Sequence, residues 1–344
     1  MACSKKMSTS ILLIGNYRQG VGGISGQMEL LKNNLIKEGY NVDLFSSKGL
    51  ILERLFMPLR LLRQAQEHDV FHIHCCSGWG FFPAILGISI GGFLRKRIVL
   101  TYHGGGADAF FSKHTRLVKK WLSRTTFNIV LSGYTGNVFD KYGIPKVIIP
   151  NIIEFDPSYY RERSLFQPYF ICVRSHEPLY NIPCIIHAFK IVQEKFPEAS
   201  LTLVGDGSQH EELVALVKEL GLKNVLFPGR VENSKIYEFL DKADIMLSSP
   251  IIDNMPVSLL EAMNAGLLVI SSCVGGVPFL IEDKKTGLLF ASNDYSELAN
   301  LMINALIYSE CSKMITKKAK ETVTKYSWEV IKESICGIYH SCQN

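Results

Sequence analysis

Two carboxylates and a helix start occur together in the stretch DNMPVSLLEAMNAG, which runs from Asp253 to Gly266. Pro256 fits the first turn of a helix, and Asn254 is a predicted N-cap before it. The free N–H groups of that turn and the positive end of the helix dipole predict an anion site. Glu261, about one turn further in, can accept hydrogen bonds from the vicinal hydroxyls of a ribose. Asp253 can accept from other sugar hydroxyls.

A simpler interpretation makes Asp253 a capping acid and Glu261 part of a solvated helix face. The sequence disfavours it, because Glu261 lies in the apolar context LLEAM and an unpaired carboxylate is costly in such surroundings. One site for an anion, one for a diol and one for a second polyol together predict that the chain binds a nucleotide sugar.

A cation for the same ligand is predicted at Arg174, which follows the apolar segment FICV. Ligands of parallel sheets bind beyond the carboxyl ends of the strands, so a residue that follows a strand is directed towards the binding region. A guanidinium group can bind a diphosphate through two parallel hydrogen bonds. Arg174 is therefore a candidate phosphate ligand.

Short β-rich segments alternate with helical segments along the whole chain, which is typical of α/β proteins with parallel sheets. The predicted strands are ILLIG, NVDLFSS, VFHIHCC, RIVLTYH, FNIVLS and KVIIP in the first half, and YFICVRS, SLTLVGDG, NVLFPG, DIMLSS, LLVISS and GLLF in the second. The pattern predicts two doubly wound, Rossmann-like domains over 1–155 and 169–325, facing each other across a ligand-binding cleft. The polar, proline-flanked segment 156–168 is the predicted linker.

Composition excludes some classes of protein. The chain has 344 residues, of which 47% are hydrophobic, so it can form packed cores and is not a disordered protein. Its net charge of +5 is small and dispersed, which favours an anionic ligand or membrane surface and argues against nucleic acid. Nine cysteines without framework spacing, and a start that does not resemble a signal peptide, predict a cytoplasmic protein.

The longest apolar run extends from Gly78 to Leu94. It is shorter than the roughly 20 residues needed to span a bilayer, so a buried helix is the favoured interpretation. The alternative is partial insertion, with Arg95, Lys96 and Arg97 at the lipid headgroups. That alternative predicts peripheral contact with the inner face of a membrane.

The segment DNMPVSLLEAMNAGLLVISSCVGGVPFLIEDKKTGLLF resembles the signature of the retaining glycosyltransferases of family four, the group 1 transferases, which have the GT-B fold. That signature is Glu-x7-Glu followed by a glycine-rich turn. Asp253 stands where the family has its first glutamate, and Phe279 follows Pro278 where the family often has a second acid. The stretch EPLYNIP after Arg174 also lacks the family's usual lysine. The charge of a leaving diphosphate would then be balanced by Arg174, the helix N-terminus and, less directly, Arg230.

The resemblance implies a hexosyltransferase that moves a sugar from a nucleotide sugar to a carbohydrate or lipid-linked acceptor with retention of configuration. It implies front-side attack, in which the departing diphosphate helps to deprotonate the acceptor hydroxyl, and it requires no cofactor and no metal ion. The implied catalytic residues are His103, Arg174, Asp253 and Glu261. The implied donor-binding residues are Gly22, Gly23, Arg174, Asn254, Met255, Pro256, Val257, Ser258, Glu261, Gly275 and Gly276. Residues 326–344 resemble the family's closing helix, which packs back on the first domain.

Signals in the first half are weaker. The loop GNYRQGVGGISGQ has neither P-loop nor Gly-x-Gly-x-x-Gly spacing, and Gly22 and Gly23 enter the donor site only through the resemblance. The same holds for His103, in TYHGGGADAF, which would lie beside the transferred sugar. The sequence HIHCC at 72–76 invites a metal interpretation, but no second ligand group has matching spacing, so a buried strand is favoured.

Two other classes of function stay open. One is a nucleotide-sugar-binding protein that has lost catalysis, as the departures at Asp253, after Arg174 and after Pro278 would allow. The other is a different enzyme of GT-B shape, such as a sugar-nucleotide epimerase or a phosphorylase, although no lysine is marked as the carrier of the pyridoxal group that a phosphorylase needs. Surface polysaccharide or glycolipid synthesis is the expected pathway from the resemblance alone.

Overall fold

A computed structural model describes residues 9–20, 22–49 and 51–342. The chain divides into two units. Unit 1 consists of 1–152 and 328–344, and unit 2 consists of 153–327. Each unit contains one six-stranded sheet, and every strand pair within the two sheets is parallel. The predicted fold class, two Rossmann-like α/β domains, is therefore confirmed.

Unit 1 alternates strands and helices from its first strand onwards. Its elements before the crossing to unit 2 are β1 (Ser10–Gly15), α1 (Ile24–Lys37), β2 (Asn41–Ser46), α2 (Ile51–Ala65), β3 (Val70–Cys75), α3 (Phe82–Phe93), β4 (Arg97–Tyr102), α4 (Ala107–Lys113), α5 (Thr115–Leu122), β5 (Phe127–Val130), α6 (Gly133–Lys141) and β6 (Val147–Ile148). The strand order is β2-β1-β3-β4-β5-β6. The winding direction reverses between β1 and β3, and ligands of such sheets bind beside that reversal.

Unit 2 repeats this arrangement and is followed by one more helix. The elements are β7 (Tyr169–Val173), α7 (Ile182–Lys195), β8 (Ser200–Val204), α8 (His210–Glu219), β9 (Val225–Gly229), α9 (Ile236–Asp241), β10 (Ile245–Ser248), α10 (Val257–Asn264), β11 (Leu268–Ser272), α11 (Val277–Leu280), β12 (Leu288–Phe290), α12 (Tyr295–Ile307), α13 (Ser309–Val323) and α14 (Trp328–Ser341). The strand order is β12-β11-β10-β7-β8-β9, so the reversal lies between β7 and β10. Helix α14 belongs to unit 1.

Helices cover both faces of each sheet, which is why the strands are almost continuously apolar. All six residues of β1 and of β3 are buried, so the HIHCC segment is the buried strand that was predicted. Separate apolar cores fill the two units, with Phe71 and Phe139 in unit 1 and Phe189 in unit 2 among the fully buried rings. Each such side chain contributes about 1.5–3 kcal/mol through burial.

Helix α2 was not predicted, and it contains Pro58 within its length. Its accessible residues include Leu55, Phe56 and Leu59, which are 57–69% exposed. Within the described residues, none of the helices combines the length and the apolar character needed to cross a bilayer. The cysteines in the described ranges are free thiols, and Cys3 lies outside those ranges.

Candidate functional site

The reversal point of unit 2 brings two predicted site residues together. Arg174 follows β7 directly, and Asp253 lies in the loop after β10, which is the neighbouring strand. Ile245 and Met246 of β10 pair in register with Phe170 and Ile171 of β7. Both side chains therefore lie at the carboxyl edge of the sheet, where the strand order reverses.

Arg174 and Asp253 form an ion pair. The Nη2 atom of Arg174 lies 2.8 Å from Oδ2 of Asp253, and their side chains are only 11% and 17% exposed. The guanidinium carbon also lies 5.0 Å from the ring centre of Tyr180. Burial by itself would lower the pKa of Arg174, but Asp253, with smaller contributions from Tyr180 and Cys172, outweighs burial and raises the pKa of the guanidinium. The arginine is thus fixed in place and charged at every physiological pH.

The start of α10 differs from the prediction. Pro256, not Asn254, is the N-cap residue, and no side chain caps the helix. The reason is that the helix begins only at Val257, three residues after Asn254. The backbone N–H of Asn254 donates a hydrogen bond to Oδ1 of Asp253 at 2.7 Å. Asn254 is buried, with 1% of its surface exposed. Met255 and Pro256 lead from it into Val257 and Ser258, whose N–H groups have no acceptor within the helix.

Glu261 lies in the second turn of α10 and keeps part of its surface in contact with solvent. Protein atoms nevertheless crowd its carboxyl group, and this desolvation raises its pKa to about 7, against the lowering effect of Arg174. Glu154 adds a smaller repulsion. Among the described residues, no group donates a hydrogen bond to the side-chain carboxyl of Glu261, so these two oxygens are available to hydroxyl donors.

Gly275 and Gly276 pack against the backbone of Asp253. A side chain at Gly275 would place its Cβ atom 2.0 Å from the Asp253 carbonyl oxygen, and the φ angle there is +52°. The N–H of Gly276 donates to the same oxygen at 2.9 Å. Both glycines therefore shape the loop that carries Asp253, a role that the sequence did not reveal.

Several buried polar atoms around α10 lack a hydrogen-bond partner within the described ranges. They are Nε and Nη2 of Arg174, Oγ of Ser248, Oδ2 of Asp253 and Oγ of Ser258. The Arg174–Asp253 contact is close enough for an ion pair, but its angles do not make a hydrogen bond. Because buried polar groups are normally paired, this concentration is typical of a site for a polar ligand.

The predicted residues of unit 1 lie beside its own reversal point. Gly23 is the N-cap of α1, with φ +66° and open space where a side chain would be, and both Gly22 and Gly23 are exposed. His103 follows β4, and its backbone N–H donates to the Cys75 carbonyl at 2.8 Å. The loop before α1 and the end of β4 therefore both present residues at the carboxyl edge.

His103 belongs to a cluster that we call the histidine row: His72, His74 and His103. Nε2 of His103 lies 2.9 Å from Nδ1 of His74, whose ring stacks on His72 with centres 4.5 Å apart. Nδ1 of His72 lies 2.6 Å from the hydroxyl of Tyr339 on α14. Burial lowers the pKa of His72 to about 3 and that of His103 to about 4, and it holds the pKa of His74 well below its usual value. All three rings are neutral at pH 7.

The predicted set thus divides between the units, with Gly22, Gly23 and His103 in unit 1 and the remaining residues in unit 2. Sequence reasoning missed two neighbours of Glu261 in unit 2, Glu154 and Tyr237, and the contact of His74 with His103 in unit 1. Tyr237 lies near Glu261, and its hydroxyl is 3.3 Å from Nδ2 of Asn264. Nowhere in the described ranges do three or more His, Cys, Asp or Glu residues cluster as metal ligands would.

Two family models match the chain. Residues 161–322 match "Glycosyl transferases group 1", and residues 46–156 match "Glycosyltransferase Family 4". The first match covers Arg174, Asp253 and Glu261, and the second covers His103. The first matched segment lies in unit 2. The second lies in unit 1, except for residues 153–156, which belong to unit 2.

Relatives and solved structures agree with these matches. The sulfoquinovosyl transferase SQD2 of Arabidopsis thaliana is 28% identical over 42% of this chain, which spans only 28% of that protein's length. The N-acetyl-alpha-D-glucosaminyl L-malate synthase of Bacillus anthracis is 27% identical over 76% of this chain and 71% of its own length. Anabaena HepE, solved in complex with UDP-glucose, superposes with a TM-score of 0.78 at 19% identity and covers 96% of this chain and 99% of its own. The chain belongs to the group 1, family-four glycosyltransferases and has their GT-B fold.

Proposed function

We propose that this protein transfers a hexose from a nucleotide sugar to a carbohydrate or lipid-linked acceptor with retention of anomeric configuration. The observation that carries the proposal is the charged cluster at the reversal point of unit 2, formed by Arg174, Asp253 and Glu261. It combines a fixed cation with a carboxylate open to hydroxyl donors, at the sheet edge where α/β proteins bind nucleotides. The solved complex of HepE with UDP-glucose supports a nucleotide-sugar donor.

Each member of the charged cluster has a distinct task in this proposal. Arg174 and the N–H groups at the start of α10 bind the diphosphate and stabilise the negative charge that grows on it as the sugar departs. Glu261 accepts hydrogen bonds from the ribose hydroxyls. Asp253 orients Arg174 through the 2.8 Å ion pair and faces the sugar.

Retention follows, in this proposal, from attack on the face from which the diphosphate leaves. The diphosphate takes the proton of the acceptor hydroxyl, so the protein needs no pair of acids placed as in a glycosidase. We propose that the reaction needs no cofactor and no metal ion, because Arg174 and the helix start supply positive charge. For unit 1, we propose that His103 contacts the transferred sugar and that the Gly22–Gly23 loop contacts the donor.

A thermal-shift screen tests donor binding first. Purified protein is heated with UDP-, GDP-, ADP-, CMP- and dTDP-sugars, and a ligand at 100 times its Kd stabilises the folded state by about 2.7 kcal/mol. The active donor is then incubated with candidate acceptors, and proton NMR of the product reports the anomeric configuration. Inverted product would contradict the retaining mechanism, and the absence of stabilisation by every donor would contradict the donor site.

A nucleotide-sugar-binding protein without transferase activity is the second candidate. It is favoured by the Arg174–Asp253 pair itself, because the shorter aspartate neutralises part of the charge that the diphosphate needs. The two candidates differ in one result. Binding of a nucleotide sugar without transfer to any acceptor, and without gain in the Asp253→Glu variant, would support the binding protein.

We further propose that unit 1 contacts the anionic inner face of a membrane, where a lipid-linked acceptor would be found. Helix α2 exposes Leu55, Phe56 and Leu59, and Trp79, just before α3, is 92% exposed. Helices of parallel sheets start at the carboxyl edge, so the first half of α2 and the start of α3 lie towards the same edge of unit 1, and Arg60 adds an exposed positive charge. Apolar side chains with basic neighbours are typical of membrane-surface contacts.

Vesicle sedimentation tests this contact. Wild-type protein is expected to bind vesicles that contain phosphatidylglycerol more strongly than neutral vesicles, and Trp79→Ser with Phe56→Ser is expected to abolish the difference. Exposed Ile307 of unit 2 provides a control in the Ile307→Ser variant. Equal sedimentation of all three proteins would contradict the membrane contact while leaving the transferase proposal intact.

A further inference from the structure

His74 and His103 face each other through one ring nitrogen each, and a single proton lies between these two nitrogens. His74 lies on β3, opposite Thr101 of β4 in the sheet register, and His103 follows β4. Their ring atoms Nδ1 and Nε2 lie 2.9 Å apart. Because burial keeps both rings neutral, each ring has one N–H group, and only one of the two facing nitrogens can donate.

The second nitrogen of His74 decides the direction of that hydrogen bond. Nε2 of His74 is buried, and no partner for it exists within the described residues. If Nε2 carried the proton, a donor would be left unpaired in the protein interior, which native structures avoid more strictly than an unpaired acceptor. The proton of His74 therefore belongs on Nδ1, which donates to Nε2 of His103.

The tautomer of His103 follows because a neutral imidazole has one N–H donor and one acceptor nitrogen. A ring that accepts at Nε2 must carry its proton on Nδ1. We propose that His74 is a positioning residue, which fixes His103 in the Nδ1–H tautomer so that His103 presents a hydrogen-bond donor. The ligand class is a neutral hydroxyl or ether oxygen of a sugar. This last step rests on the proposed function, whereas the tautomer does not.

The ring of His72 restricts the orientation of the His74 ring, on which it stacks. His72 makes hydrogen bonds at both nitrogens, to the Tyr339 hydroxyl at 2.6 Å and to Oγ1 of Thr101 at 2.7 Å. It stacks on His74 without a hydrogen bond to it. His74 is thus held between a fully bonded ring and His103, and its orientation is set by the strands.

Nitrogen-15 NMR of histidine-labelled protein measures the tautomer without any substrate. The His103 signals are assigned by their loss in His103→Gln. We expect a protonated Nδ1 and an unprotonated Nε2 in the wild type. A protonated Nε2 on His103 would overturn the inference, whatever the activity of the protein.

Two variants separate hydrogen bonding from packing. His74→Phe keeps a ring but removes the donor, so His103 should become a mixture of tautomers. His74→Asn places an amide near the former Nδ1 and should restore the Nδ1–H form. His72→Asn, one ring further away, is the control and should leave the tautomer of His103 unchanged. An unaltered His103 spectrum in a folded His74→Phe variant would contradict the proposal.

Transfer kinetics then connect the tautomer to function. A mixture of tautomers leaves only part of the His103 population with the donor, which predicts a fall in kcat/KM of about two- to fivefold in His74→Phe, and recovery in His74→Asn. If the tautomer shifts but kcat/KM does not, His74 does not act through His103 on the substrate. If the wild type shows the Nδ1–H form yet transfers no sugar, the proposed function fails and the tautomer assignment stands.

Discussion

The two units have the same type of sheet but opposite chemistry at its carboxyl edge. Unit 2 places three ionisable groups beside its reversal point, Arg174, Asp253 and Glu261, and two of them form an ion pair of 2.8 Å. Unit 1 places the histidine row there, and burial lowers the pKa of each ring so that the row is uncharged at pH 7. One edge is charged and the other is polar but neutral.

Under the proposed function, the charged edge suits a diphosphate and the neutral edge suits a sugar. A diphosphate is charged and needs a fixed cation, which Arg174 supplies because Asp253 and Tyr180 hold its guanidinium. A sugar is neutral and is recognised by directed hydrogen bonds, for which a ring of fixed tautomer suffices. Burial is common to both edges, but among the described residues of the two edges a buried charge meets a counter-charge only at Arg174 and Asp253, and such pairing is the condition for keeping a buried group ionised.

The largest effect is expected from removing the cation of unit 2. Arg174→Ala should lower the transfer rate by about 100- to 1,000-fold, because one fixed charge no longer stabilises the departing diphosphate. Steady-state kinetics with the active donor measures it. The control is Arg116→Ala, an exposed arginine on α5 of unit 1, which should retain its rate. Similar rates in the two variants would remove the charged edge from the mechanism.

The next effect concerns the loop that carries Asp253. Gly275→Ala should lower the free energy of unfolding by about 3 kcal/mol, because the new Cβ atom would lie 2.0 Å from the Asp253 carbonyl oxygen at a φ of +52°. Gly221 also has a positive φ, +63°, but open space around it, so Gly221→Ala carries only the backbone strain. Urea unfolding compares them, and equal losses would show that the close approach to Asp253 is not limiting.

Glu261 should make the protein less stable as the pH rises. Its folded-state pKa of about 7 exceeds the ordinary value of 4.5, so the folded state binds the proton more tightly. The stabilisation of the folded state by this bound proton is complete below pH 4.5 and is lost as the pH rises through 7. Between pH 5 and 8 the wild type should lose on the order of 2 kcal/mol relative to Glu261→Gln. Parallel stabilities of the two proteins across this range would contradict the raised pKa.

The smallest predicted effect is the pH dependence of nucleotide-sugar affinity that the titration of Glu261 causes. A carboxylate accepts two ribose hydroxyls better than a carboxylic acid does, so affinity for a nucleotide sugar should rise about tenfold from pH 6 to pH 8. Calorimetry measures it with a nucleotide sugar, whose diphosphate has no ionisation in that range. Glu261→Gln should show a flat profile, whereas Glu238→Gln, an exposed acid on α9, should keep the slope. A slope that survives in Glu261→Gln would assign the titration to another group.

The sequence predicted the elements well because hydrophobic periodicity reports local structure directly. Every segment predicted to be a strand contains one, and Arg174 follows β7 as expected. The contact between Arg174 and Asp253 could not be predicted, since it depends on β7 and β10 being neighbours although two strands separate them along the chain. The close approach of Gly275 to Asp253 has a different origin, because it joins the loops after the consecutive strands β10 and β11 and depends on the conformation of those loops.

Errors of detail have local causes. Asn254 resembles an N-cap by residue type, but the helix begins only at Val257, so the cap position falls to Pro256. Helix α2 was missed because Pro58 interrupts its pattern. The alternation of His72 and His74 on one strand face was visible, but the third ring of the row comes from the end of β4, and only the sheet register places it.

Calorimetry of the bare nucleoside diphosphate of the active donor tests the central claim most directly, that the charged edge of unit 2 binds the diphosphate and the neutral edge of unit 1 does not. The comparison uses the wild type, Arg174→Ala and His103→Ala. Arg174→Ala should weaken binding by about 100-fold, and His103→Ala should change it by less than about threefold. Equal weakening in both variants, or wild-type affinity in Arg174→Ala, would contradict the division of labour between the two edges.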